Sequence, residues 1–382
     1  MSDLERLAGP DSRIGLGWIP IGAALILTIA LALTWPDGDL RGNTEGLGLA
    51  DEMHRALITR VVDGPCSFNN ADTCRTVEFA LQEGPREGTD FVQEFTSTAS
   101  TPDLAPGDAV FLAWIEGAES GFEYQYADRD RRAVLIGVFV LFAIAVGALG
   151  RLRGLAALTG LILSVGVVVG YIVPAIAAGS SAVLISIVGS GTVALLALYL
   201  AHGFRPLTHV AFAGTALALL VTFGLAAAVL ELAQFSGFSS EESLYLAVAG
   251  NVDIRGLLLA GVVLGALGAL DDVTVTQASA VWELRAAQPN MKMRDLAQAG
   301  LRIGRDHIAS TVNTLLLAYA GASMPLLLLF SLSGLRLADI ANSEVVAVEI
   351  VRTLVGSIGL VLAVPLTTYL AAAIATRTET SA

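Results

Sequence analysis

Two adjacent carboxylates, Asp271 and Asp272, lie inside the apolar run LGALGALDDVTVTQASAVWELR. An aspartate at bilayer depth costs about 2.5 to 3.5 kcal/mol on insertion scales, so it persists where something compensates for it and marks an ion or proton pathway by default. If Trp282 stands at the membrane interface, Asp271 lies 11 residues deeper. That is about 16 Å of helical rise, close to the bilayer middle. Helical spacing places Asp272, Thr276, Ser279 and Glu283 in one stripe, continued by Gly268 and Gly265, with Asp271 and Thr274 beside it.

A second polar run, GRDHIASTVNTLLLAYAG, puts Asp306, Ser310 and Asn313 on one face, flanked by Thr311 and Thr314. Counted from Arg305, Asn313 and Thr314 are about 12 to 14 Å deep, roughly level with the two acids on an antiparallel neighbour. The joining segment, residues 284 to 306, is short enough to make the two helices adjacent. The expected ion- or substrate-binding set is therefore Asp271, Asp272, Thr276, Asp306, Ser310, Asn313 and Thr314. Its carboxylate, amide and hydroxyl oxygens suit a proton or a hard cation, held at Asp271, Asp272 and Asn313, whereas zinc and copper would want a Cys or His cluster. No other cofactor is expected. The competing reading is that these groups only lock the bundle and that Asp306, with Arg305 and His307, is a solvated helix start.

Enzymatic chemistry is not expected. An intramembrane aspartyl protease needs two carboxylates sharing a proton, but Asp306 sits too near the cytoplasmic edge and the usual glycine–aspartate spacing is missing. A phosphate-binding loop is also missing, so nucleotide-driven transport would require another subunit.

The elements that must carry these residues are membrane spans. The 382 residues are 54% hydrophobic and 15% charged, while soluble domains run near a quarter charged. Apolar runs predict eight spanning helices, at about 14–35, 133–150, 154–174, 180–201, 207–232, 255–283, 307–332 and 350–375. The basic residues near span ends, including Arg6, Arg13, Arg151, Arg153, Arg205, Arg285, Lys292, Arg294, Arg302, Arg305 and Arg377, fall on one side if both termini are cytoplasmic. Arg129, Arg131 and Arg132 run against that rule. The first span reads as an uncleaved anchor, with a secretory signal as the alternative.

The net charge of −13 is local: residues 36 to 132 hold 19 acidic and 8 basic side chains. This segment also contains both cysteines, Cys66 and Cys74, beside Pro65 and Asn69-Asn70. Outside the cell they form a disulfide; two buried thiols are the alternative. Five strand-like stretches, 55–62, 75–82, 89–97, 109–115 and 122–127, separated by Gly84-Pro85 and Pro106-Gly107-Asp108, predict a small OB-like barrel. Its acidity excludes nucleic acid as a partner. Glu349 and Arg352, three apart, are expected to pair, and Pro365 to kink the last span with Thr367 and Thr368 satisfying freed backbone groups.

The chain is thus read as an α-helical integral membrane protein with an extracytoplasmic β-rich domain inserted after its first helix. The divisions are 1–35 (cytoplasmic start and first span), 36–132 (outer domain) and 133–382 (seven spans and a cytoplasmic end). The blocks RGLLLAGVVLGALGALDDVTVTQASAVWEL, GRDHIASTVNTLLLAYAGASMPLLL and SIGLVLAVPLTT resemble the YibE/F family of bacterial multi-pass membrane proteins. The resemblance covers roughly residues 130 to 375 and implies a bacterial cell membrane location and a transport role of unspecified substrate. The family motif often carries one acid where this chain has Asp271-Asp272, which favours Asp272. The expected partners are the lipid bilayer, a small cation or proton, and a second copy or a membrane complex. The rival function is an accessory or scaffold subunit of a secretion or envelope complex, docking through the outer domain.

Overall fold

The computed structural model describes residues 10–36, 52–67, 72–99, 101–115, 118, 123–249 and 252–377. Arg6, Asn69, Asn70, Phe122 and the side chain of Arg13 lie outside them. The chain divides into two compact units, Asn43–Ala145 and a larger one formed by Met1–Gly42 with Val146–Ala382.

The smaller unit carries five antiparallel strands: β1 (Glu52–Pro65), β2 (Thr73–Leu81), β3 (Asp90–Thr96), β4 (Ala109–Trp114) and β5 (Tyr124–Arg129). Their order in the sheet is β3-β2-β1-β4-β5. The long β1 pairs with β2 and β4 at once, and its register shifts between Ile58 and Arg60. Such an irregularity bends the strand so that one element serves two neighbours. The inward residues Ala56, Ile58, Val77, Phe79, Leu81, Val110, Leu112 and Tyr124 alternate along their strands and form the core. The outermost strands curl towards each other: the Tyr126 N–H donates to Gln93 Oε1 (2.8 Å), and Phe95 meets Tyr126 edge-on at 5.8 Å. The result is a half-barrel. Cys66 and Cys74 are bonded across the β1–β2 connection, which settles the disulfide against two thiols.

The helical elements are α1 (Pro10–Leu33), α2 (Arg132–Val167), a π-helical turn (Val168–Ile172), α3 (Val173–Ala177), α4 (Ala182–His202), α5 (Pro206–Leu232), α6 (Glu241–Ala249), α7 (Ile254–Ala287), α8 (Met293–Ala322), α9 (Met324–Leu332), α10 (Leu337–Asn342) and α11 (Glu344–Arg377). Within α2, Arg151 leaves helical geometry (φ 51°, ψ −133°). There the chain doubles back, bringing Gly154 against the Val146 carbonyl, where a side chain would overlap it. Among the described residues, five stretches are long and apolar enough to cross a membrane: Arg132–Ala177, α4, α5, α7 and α11. The pair α8 and α9, bent by 62°, adds a sixth if it is one span, and the apolar part of α1, Gly17–Leu33, is shorter. These are the helices of a membrane-embedded protein.

The core of this unit is the mutual packing of α5, α7 and α11, with α4 and α8 alongside. Small residues let the backbones approach: a Cβ on Gly214 would overlap Thr367, and one on Gly359 would overlap Thr222. The segment expected to link the sixth and seventh spans, 284 to 306, is mostly helix: α7 runs on to Ala287 and α8 starts at Met293. The reason is amphipathic spacing. Leu296, Ala297, Gly300 and Gly304 are buried while Arg294, Arg302 and Arg305 stay exposed. Arg285 Nη1 donates to the Met291 carbonyl (2.8 Å) and closes the tight turn between them.

Candidate functional site

Consecutive residues on a helix point about 100° apart, so Asp271 and Asp272 meet different neighbours. Asp271, partly buried, lies beside the Thr215 hydroxyl of α5. Thr215 and Thr274 are fully buried with their hydroxyls 2.7 Å apart, and the Thr274 hydroxyl also lies 3.2 Å from the Asp271 carbonyl. Asp271 Oδ1 is itself buried with no hydrogen-bond partner. A carboxylate oxygen left so is costly, and a proton or a small cation is the chemistry that relieves it.

Asp272 turns the other way. Its side chain is 69% exposed, and Oδ2 lies 3.9 Å from His307 Nε2 of α8. That nitrogen is buried and makes no hydrogen bond. Thr276 is exposed one turn further along α7. On α8, Asp306, Ser310, Asn313 and Thr314 are all exposed, and the Thr314 hydroxyl donates to the Ser310 carbonyl of its own helix (3.0 Å). The fold therefore sets α7 beside α8 and joins Asp272 to His307. Among the described residues neither acid is hydrogen-bonded to Asn313 or Thr314. Nor do three or more His, Cys, Asp or Glu side chains gather there as a metal site.

The interior polar contacts run mainly through residues that the sequence reading left aside. Gln277, six residues beyond Asp271 on the buried side of α7, donates through Nε2 to the Gly300 carbonyl of α8 (2.8 Å) and to the Thr368 hydroxyl of α11 (2.7 Å). Thr368 passes its own proton to the Val364 carbonyl (2.6 Å), near the helix-interior Pro365. This one amide ties three helices together. On α5, Thr208, Thr215 and Thr222 are all fully buried. Their seven-residue spacing was visible in the sequence and would have pointed to a polar interior face of α5. Gln277 gave no such signal, because a glutamine amid Thr and Ser at a membrane edge looks solvated.

Towards the start of α7, Arg352 Nη1 donates to Glu349 Oε1 (2.7 Å), the pair its spacing predicted. Arg255 donates to Glu231 Oε2 (2.8 Å), and His209 Nδ1 lies 2.9 Å from the Tyr199 hydroxyl.

A family model described as YibE/F-like protein matches residues 138–377. The chain belongs to the YibE/F family. Comparison with curated proteins and with solved structures returns no match. The YibE/F match takes in α4, α5, α7, α8 and α11 to their last residues, and with them Asp271, Asp272, Gln277, His307, Glu349 and Arg352. It begins after the last strand, β5. Family and apolar helices together are consistent with a multi-pass membrane protein.

Proposed function

We propose that this YibE/F member is a transporter-like protein of the bacterial cell membrane that moves, or is coupled to, a small cation or protons through its intramembrane acids. The observation that carries the reading is the buried, unpartnered Oδ1 of Asp271 beside the Thr215–Thr274 hydroxyl pair. A single carboxylate among hydroxyls provides one negative charge and few oxygens. That favours a proton or a monovalent cation over a divalent one, which takes six or more oxygen ligands or keeps several waters. Asp272, with His307 at 3.9 Å, is the second ionisable station. Eight spans with both termini cytoplasmic, and an extracytoplasmic 36–132, best accommodate the basic residues near the span ends. The disulfide supports that placement, since such bonds persist in oxidising compartments. The strand order, read as a ring in which β3 meets β5, supports an OB-like barrel outside.

The test is ion flux in liposomes reconstituted with the full chain. Asp271→Asn should lower flux at least tenfold while the variant keeps its melting temperature; wild-type flux in Asp271→Asn would remove that acid from the mechanism. One observation favours the scaffold reading: residues 36 to 132 concentrate 19 acidic against 8 basic side chains, a charged surface on which a partner could dock. In that case, deletion of residues 40 to 128 should abolish co-purification with the partner, and liposome flux should be at background in every variant.

A further inference from the structure

A second face of α7 has polar neighbours of its own. Gly261, Gly265, Gly268 and Asp272 follow at i, i+4, i+7 and i+11, in one line along the helix. Helix α8 touches that line twice. His307 Nε2 stands 3.9 Å from Asp272 Oδ2, and further along, a Cβ on Gly265 would meet the Tyr319 hydroxyl at 2.6 Å. Between the two contacts Gly268 is exposed, and a Cβ there would meet nothing within 4 Å. The helices are thus in contact on either side of a groove that is open along this face. Beyond Gly265, Arg352 of α11 brings Nη2 to 3.7 Å from a Cβ on Gly261. Its Nη1 is taken by Glu349, while Nε is buried without a partner.

The glycines alone would mean only close packing. What gives the gap chemistry is the set of ionisable or hydroxyl-bearing groups at its ends: Asp272 and His307 at one, Tyr319, Arg352 and Glu349 at the other, drawn from three helices. A largely exposed aspartate in the middle of a span cannot face lipid cheaply; such groups face protein or a water-filled cavity. Water is stable where two to four polar partners are within reach, and the carboxylate, the imidazole and the phenol supply them. We propose that the space at Gly268 is a water-filled passage that connects the Arg352–Glu349–Tyr319 end of the α7–α8 interface to Asp272 and His307. It delivers a proton or a small monovalent cation to the acids. This deepens the transport reading and rests on it for the identity of the cargo, but not for the presence of water.

The experiment uses cysteine accessibility on the full chain in nanodiscs. Both native cysteines are bonded to each other, so Gly268→Cys introduces the sole free thiol. A hydrophilic cationic thiosulfonate should modify it at least ten times faster than Leu217→Cys, a residue on the exposed face of α5. Equal rates would overturn the passage, and so would ready disulfide dimerisation of Gly268→Cys on mild oxidation, which would mean that a second copy covers the gap. In liposomes, Gly268→Leu should cut flux at least tenfold and Tyr319→Phe severalfold. If Asp271→Asn abolishes flux while Gly268→Leu leaves it intact, the passage is wrong and the transport reading survives. If the wild type shows no flux yet Gly268→Cys is labelled fast, the passage stands and the transport reading falls.

Discussion

The hydroxyls of Thr215 on α5 and Thr274 on α7 stand 2.7 Å apart, and neither side chain has any exposed surface. Each is the other's partner, and Thr215 also lies beside Asp271. Replacing one by valine takes from the other its partner across the two helices and leaves it only Asp271, a loss of about 0.5 to 1.5 kcal/mol, whereas replacing both by isosteres can be close to neutral. Thr215→Val and Thr274→Val should each lower the melting temperature in detergent, and the double variant should recover much of the loss. The cycle should give a coupling of about 0.6 to 2 kcal/mol, the span found for hydrogen bonds between membrane helices. Strict additivity would mean that the two hydroxyls do not act as a pair.

Gln277 should be the costlier single loss. Its Nε2 supplies both the Gly300 carbonyl and the Thr368 hydroxyl, so Gln277→Leu strips a partner from α8 and from α11 together. A cost of about 2 to 4 kcal/mol is expected, from two lost bonds at roughly 1 to 2 kcal/mol each. The start of α8 should loosen first. Hydrogen exchange at residues 293 to 304 would register this; faster exchange spread evenly over the bundle would contradict a local tie.

Glycines on the same α7–α8 interface should respond oppositely to alanine. At Gly304 a Cβ would meet Val364 Cγ1 at 2.5 Å and Gln277 Oε1 at 2.7 Å, both in packed surroundings. Gly304→Ala should therefore destabilise by about 1 to 3 kcal/mol, the usual cost of overpacking. At Gly268 there is room, and alanine in a helix interior gains roughly 0.5 to 1 kcal/mol over glycine. Gly268→Ala should raise the melting temperature slightly. A loss at Gly268 as large as that at Gly304 would show that the space is not open.

Much of this was legible in the sequence where one periodicity dominates. The runs that became α4, α5, α7 and α11 are long and predominantly apolar, so a helix is what satisfies their backbone in lipid. Alternation and turn residues exposed the five strands in the same way. The short connection at 284 to 306 does set α7 beside α8, but the helix ends were placed short, because its charges look solvated until their three- and four-residue spacing is set against buried Leu296, Gly300 and Gly304. The candidate site was legible as to helices and depth but not as to facing. Asp271 and Asp272 differ by one residue, and the identity of the helix each meets depends on crossing angles that no local pattern encodes. Thus Thr215 and His307, rather than Asn313 and Thr314, are their neighbours.

The disulfide closes a loop of eight positions between Cys66 and Cys74. Chain entropy assigns a loop that short about 2 to 3 kcal/mol. Cys74 is fully buried behind the β1–β2 ladder, so a serine pair would also place hydroxyls in an apolar setting. Cys66→Ser with Cys74→Ser, or reduction, should lower the unfolding temperature of the β unit and leave that of the helical unit unchanged. An equal drop in both would mean that the two units unfold as one.

Acid should weaken the β unit in a way traceable to Asp130. This side chain, 6% exposed, accepts from Arg132 Nε (3.0 Å) and Nη2 (2.8 Å) and lies 3.1 Å from Arg55 Nε. The hydrogen bonds from the Arg132 side chain, then that from its backbone N–H, hold the carboxyl well below the ordinary aspartate range, with Arg55 adding to the effect. Asp63, beside Arg75, and Glu94, bonded by Ser67, shift the same way. A group whose folded value is depressed binds fewer protons folded than unfolded around pH 4, so its stabilising contribution is complete above the unfolded value of about 3.9 and vanishes as pH falls through the folded one. Wild-type stability should therefore fall steeply below about pH 4. Asp130→Asn should start lower at pH 7 and decline less, so that the gap between the two proteins narrows as the solution is acidified. Unfolding monitored by Trp114 fluorescence from pH 7 to pH 2.5 would follow the gap. A gap that stays constant across that range would show that Asp130 contributes through packing rather than through its charge.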